Sequence, residues 1–134
     1  MEKLLPLLFG VMGDRRKTSG KWWHSGEKAS LPQTLTYTTP EKNVACKISF
    51  LPRGDHLAIE DCPKDFQIFG INGDRGKRLL LAEKKGNQCK AGERVEVPLK
   101  NSGAFYGYEI YVTATGGNLR DNIVVIRDVQ INVY

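Results

Sequence analysis

The sequence predicts an all-β protein, an antiparallel β-sandwich of the jelly-roll kind. Apolar side chains recur at every second position along most of the chain, the spacing that gives a strand one buried face. The three-to-four spacing of an amphipathic helix is almost absent. The alternating runs are separated by "PRGD", "NGDRG", "KKGNQ", "KNSG" and "TGGN", turns in which glycine takes up positive φ at little cost. At least seven such runs in 134 residues fit two packed sheets, a single domain over residues 1–134, with function carried by the loops.

The runs follow in order. "TLTYT" sets Leu35 and Tyr37 on one face and threonines on the other. "VACKISFL" groups Val44, Cys46, Ile48 and Phe50, and "DFQIFGI" contributes Phe66 and Ile68. "RVEVPL" carries Val95, Val97 and Leu99. "FYGYEIYVTAT" aligns Tyr106, Tyr108, Ile110, Val112 and Ala114, and "VQINVY" closes with Val129, Ile131 and Val133. The expected core is Val44, Ile48, Phe50, Phe66, Ile68, Ile110, Val112, Val129 and Ile131. "LFGVMGDRRK" and "IFGINGDRGK" share six of ten residues, but identity fades on either side, so they read as two similar strand-to-turn segments.

Composition narrows the function classes. Lys and Arg outnumber Asp and Glu by 20 to 15, a net charge of +5, which reads first as a solvated surface excess and second as a mild preference for anionic partners: phospholipid head groups, sulfated glycans or nucleic acid. Basic residues are not interleaved with aromatics in an RNA-reading pattern and no helix–turn–helix spacing occurs, which argues against nucleic acid. No apolar run is long enough to span a membrane. "MEKLLPLLFGVMG" imitates a signal peptide, but cleavage would fall after only 13 residues, so it reads as the first folded segment.

Three cysteines cannot all pair within one chain. Cys46 lies in an apolar run and reads as a free buried thiol. Cys62 and Cys89 sit at loop-like positions and are either bridged, in an oxidising compartment, or both free. No C-x-x-C supports a zinc site.

Catalytic signatures are missing. "GINGDRGKR" has Ile71 where a phosphate loop needs its first glycine, and Arg78 follows Lys77 where Ser or Thr is required. No H-E-x-x-H or G-x-S-x-G occurs, and His24 and His56 have no carboxylate or cysteine at catalytic spacing. The reading is therefore a non-enzymatic protein. "RGD" at 53–55 matches the integrin-binding tripeptide, a motif short enough to arise by chance.

The order of segments adds a family likeness. "LLFGVMGDRRKTSGKWWHS", "LPQTLTYTTPEKNVACKISFLPRGD", "CPKDFQIFGINGD", "GYEIYVTATGG" and "IVVIRDVQINV" follow one another over roughly residues 8 to 133. The chain resembles the discoidin family, the coagulation factor 5/8 type C domains, on the galactose-binding-like fold. It departs in carrying Gly10 where the early loop usually has its first Asp. It also lacks the cysteine pair that ties the ends of extracellular members together. The resemblance implies a non-catalytic module that recognises glycans, phospholipids or proteins through loops at one end, and an extracellular or cell-surface setting. A structural protein–protein module within a larger assembly is the alternative.

Neighbouring side chains on an extended segment point opposite ways, so Trp22 and Trp23 divide between the interior and a ligand surface, unless both are core. Sugars offer apolar C–H faces to an aromatic plane and hydroxyls to His24, Arg53 and Asp55. The resemblance places a histidine and an arginine at His24 and Arg53. The second basic residue of the fucose-binding subgroup is missing from "HLAIED". Asn72 is expected at the same loop end. The family's calcium ion, held by hard oxygen ligands, has its nearest matches in Asp14 and Asp128.

Overall fold

The computed structural model describes residues 31–54, 61–72, 77–100, 103–116 and 124–134 in full, and, within residues 1–30, the backbone of four strands. The strands are β1 (Lys3–Leu4), β2 (Phe9–Met12), β3 (Arg15–Thr18), β4 (Trp22–Ser25), β5 (Gln33–Asn43), β6 (Ala45–Leu51), β7 (Pro63–Ile71), β8 (Arg78–Lys84), β9 (Val95–Pro98), β10 (Phe105–Thr115) and β11 (Val125–Val133). No helix occurs among the described residues. Every strand pair is antiparallel.

One sheet runs β3-β4-β11-β6-β9, with β1 also paired to β11, and the other runs β2-β5-β10-β7-β8. The order is far from sequential, because the chain crosses repeatedly from one sheet to the other, as a jelly-roll sandwich requires. The inner faces meet through Leu35, Ile48, Phe50, Phe66, Ile68, Tyr108, Ile110, Val112, Ile126 and Ile131, all at most 1% exposed. Phe50 of one sheet meets Phe66 of the other edge to face at 5.8 Å between ring centres.

Period-two reading locates most of this core and slips where a strand bulges. Val44 is only half-buried and precedes β6; Ala45, fully buried, takes the inward place, and the register of β6 on β11 shifts between Asn132 and Val133. Cys46 is free as expected but half-buried rather than buried. Val129 packs against the core only in part, because the β11–β6 register shifts between Arg127 and Gln130, where Asp128 has φ 45°. Tyr106 is 41% exposed, since β10 shifts register against β5 between Phe105 and Gly107. An extra residue moves every following side chain to the opposite face.

Cys62 and Cys89 are bridged, with Cα atoms 5.8 Å apart. The bridge pins the start of β7 to the loop that follows β8. Asn87 reinforces it: its backbone N–H donates to the Lys64 carbonyl and its side-chain amide to the Pro63 carbonyl, each at 2.9 Å.

Candidate functional site

The paired registers define the two ends of the sandwich. At one end lie the last residue of β6, the first of β7 and β11, and the last of β10. β4 reaches the same end, since His24 is opposite Val125 and Trp22 opposite Arg127. Arg127 is in turn opposite Leu51 of β6. Val125 is fully buried yet stands outside the core cluster that holds its neighbours Val124 and Ile126. Alternation therefore turns Val125 to the outer face of its sheet.

Past Leu51 the chain leaves the β11 ladder, and Asp61 takes the vacated flank of Val125, whose N–H donates to the Asp61 carbonyl at 3.1 Å. In a strand the N–H and C=O of one residue point to the same side, so His24 stands on one flank of Val125 and Asp61 on the other. Their backbones are about two strand spacings, or ~10 Å, apart. The Asp61 side chain is buried, and its Oδ2 accepts from Arg53 Nη1 at 3.1 Å, leaving the Arg53 side chain 27% exposed. Arg127 fixes the turn beneath: its Nε donates to the Pro52 carbonyl at 2.7 Å. A Cβ placed on Gly54 would lie 3.2 Å from Arg127 Nη2, so this close approach of backbone to guanidinium suits glycine.

The structure thus brings His24 and Arg53 to one end of the molecule, with Trp22 and Trp23 on the same strand as His24. The side chains of Trp22, Trp23 and His24, and all of Asp14 and Asp55, lie outside the described residues. Asn72 does not join this end. It follows the last residue of β7, nine residues from Pro63, and its Oδ1 accepts from the Tyr106 N–H at 3.3 Å. At about 3.3 Å per residue that is roughly 30 Å from Pro63, at the opposite end of the sandwich.

Asp128 belongs to a separate arrangement. Arg94 Nη2 donates to Asp128 Oδ2, and Arg94 Nη1 to the Asp128 carbonyl at 2.9 Å and to Ser49 Oγ at 3.0 Å. A cation bound at this carboxylate would have to displace a guanidinium or sit beside it, so Asp128 does not fit as a calcium ligand. Among the described residues no three His, Cys, Asp or Glu side chains gather as a metal site would need. No helix among them is long and apolar enough to cross a membrane.

Sequence reasoning missed Asp61. A lone aspartate before a cysteine has no periodic signature, and its role depends on a contact to Arg53 that only the folded loop creates.

No protein-family model matches the chain, and no curated protein matches it. Likeness appears between structures. A family 32 carbohydrate-binding module from Clostridium perfringens NanJ, solved with galactose, superposes with a TM-score of 0.77 at 16% identity, covering 98% of this chain and 99% of that one. A third family 32 module from a C. perfringens family 31 glycoside hydrolase gives 0.75 at 12% identity, over 96% and 90% of the two chains. A fifth such module from a C. perfringens family 89 enzyme, solved with GalNAc-β-1,3-galactose, gives 0.67 at 13% identity over 82% and 73%. The fold is the galactose-binding-like sandwich that these modules share with discoidin domains.

Proposed function

We propose that the chain is a non-catalytic carbohydrate-recognition module, binding through the end of the sandwich where His24 and Asp61, the partner of Arg53, flank Val125. The observation that carries this reading is that placement. The β4–β11 register brings the backbone of His24, and the Asp61 contact brings the Arg53 guanidinium, to one end of the sandwich. An imidazole and a guanidinium suit the hydroxyl rim of a sugar, and one tryptophan of β4 would offer an aromatic plane to its C–H face. The structural neighbours solved with galactose and with GalNAc-β-1,3-galactose support the class of ligand. The disulfide between Cys62 and Cys89 supports an extracellular or cell-surface setting.

A glycan array probed with wild type and His24→Ala tests the reading. Selective retention on galactose- or GalNAc-terminated glycans, reduced at least tenfold in the variant, is the expected result. Retention of no glycan by the wild type would remove the proposal and leave the structural protein–protein module in its place.

A further inference from the structure

We infer that Asp61 is the positioning residue of this site: its buried carboxylate sets the Arg53 guanidinium and offsets its charge, so that this corner selects an uncharged sugar over an anion. The inference rests on the carbohydrate reading for the ligand class, but its geometric half stands on the Arg53–Asp61 contact alone.

Asp61 is held from two directions. Its carbonyl accepts from Val125, the residue opposite His24, and its carboxylate accepts from Arg53 at 3.1 Å. The next residue, Cys62, accepts from the Gly116 N–H at 3.0 Å and is bridged to Cys89. The Asp61–Cys62 dipeptide therefore joins the end of β10, the start of β11 and the loop after β8, and it presents one charged group to Arg53. A carboxylate that is 1% exposed keeps its charge only when it is paired and hydrogen-bonded. Its partner is in turn drawn out of the many rotamers open to a surface arginine. The Arg53 side chain stays 27% exposed, and the carboxylate behind its guanidinium reduces its net field. Directional N–H donors with little net charge match sugar hydroxyls. An unpaired arginine would instead favour sulfate or carboxylate.

The test uses the full chain as wild type and Asp61→Asn. Binding of galactose is followed by calorimetry, and retention on heparin is followed at 50 and 200 mM salt, with thermal midpoints recorded in parallel. Arg53 Nε–Hε NMR signals are observed without ligand. In wild type the Arg53 signal should be sharp and its guanidinium rotation slowed. In Asp61→Asn the signal should move, galactose affinity should fall at least tenfold, and heparin retention at low salt should rise. Opposite shifts for the two ligands separate positioning from mere loosening, which would weaken both. A freely rotating Arg53 guanidinium in wild type would overturn the proposal, and this readout does not depend on the variant folding. So would galactose and heparin binding both unchanged in the variant, or both reduced. If wild type shows slowed Arg53 rotation but retains no glycan on the array, the carbohydrate reading fails and takes the ligand selectivity with it, while the positioning role is upheld.

Discussion

The Tyr108 hydroxyl ties the end of β5 to the start of β6: it lies 2.9 Å from the Asn43 carbonyl oxygen and 2.8 Å from Asn43 Oδ1, and it accepts from the Ala45 N–H at 3.0 Å. Tyr108 is fully buried on β10, in the sheet that also holds β5, whereas Ala45 opens β6 in the other sheet. One phenol thus closes the corner where the chain changes sheets. Tyr108→Phe keeps the ring and strands these partners without water. The expected loss is about 1–3 kcal/mol in urea denaturation. Sugar binding should be unchanged, because this corner lies at the end opposite Arg53.

Glycines beside this corner are set by close approach. A Cβ on Gly107 would come within 2.7 Å of the Tyr37 carbonyl oxygen, and one on Gly70 within 2.6 Å of the Phe105 ring. A backbone oxygen held in a ladder cannot move aside as a ring can. Gly107→Ala is expected to cost more than Gly70→Ala, with both in the range of about 1–3 kcal/mol typical of overpacking. Gly86→Ala meets no atom within 4 Å and only bears the strain of φ +68°. It should cost about 1 kcal/mol in the same denaturation series.

The Cys62–Cys89 bridge closes a loop with a sequence separation of 27. Loop-closure entropy assigns such a cross-link about 3.5 kcal/mol. Reduction, or replacement of both cysteines by serine, should lower stability by roughly that amount. Cys46→Ser should leave the bridge intact, and thiol counting should find one free thiol per native chain after mild unfolding.

Tyr37 supplies a pH test. Burial raises its hydroxyl pKa well above the ordinary 10.0, since the phenolate is poorly solvated where Tyr37 packs against the core. A raised folded-state value means that the stabilising contribution is fully present below pH ~10 and is lost as pH climbs from there toward the folded-state value. Tyr37→Phe removes the titration. Denaturation midpoints compared between pH 9 and 11 should fall more steeply for wild type than for the variant.

Much of the fold was legible from alternation alone. Ile48, Phe50, Phe66, Ile68, Ile110, Val112 and Ile131 are buried where period two places them, and Val95, Val97 and Leu99 line one face of β9 and its exit. Val44, Tyr106 and Val129 were misplaced for one reason: each adjoins a register shift that sequence periodicity cannot register. The layout of the candidate site residues was legible in part. His24 and Arg53 reach the same end, but Asn72 is carried to the other because β7 runs the length of the sandwich between them. Asp61 was invisible, since nothing local marks a buried aspartate whose partner lies eight residues back.

The proposed carbohydrate site is the end where His24 and Asp61, the partner of Arg53, flank Val125. Amide chemical-shift mapping during a galactose titration tests it most directly. The predicted result is a saturable response confined to residues 22–25, 51–62 and 116–127, and abolished by Arg53→Ala but not by Lys42→Ala at the far end. A response centred on Asn72 and Tyr106, or no saturable response at any residue, would contradict it.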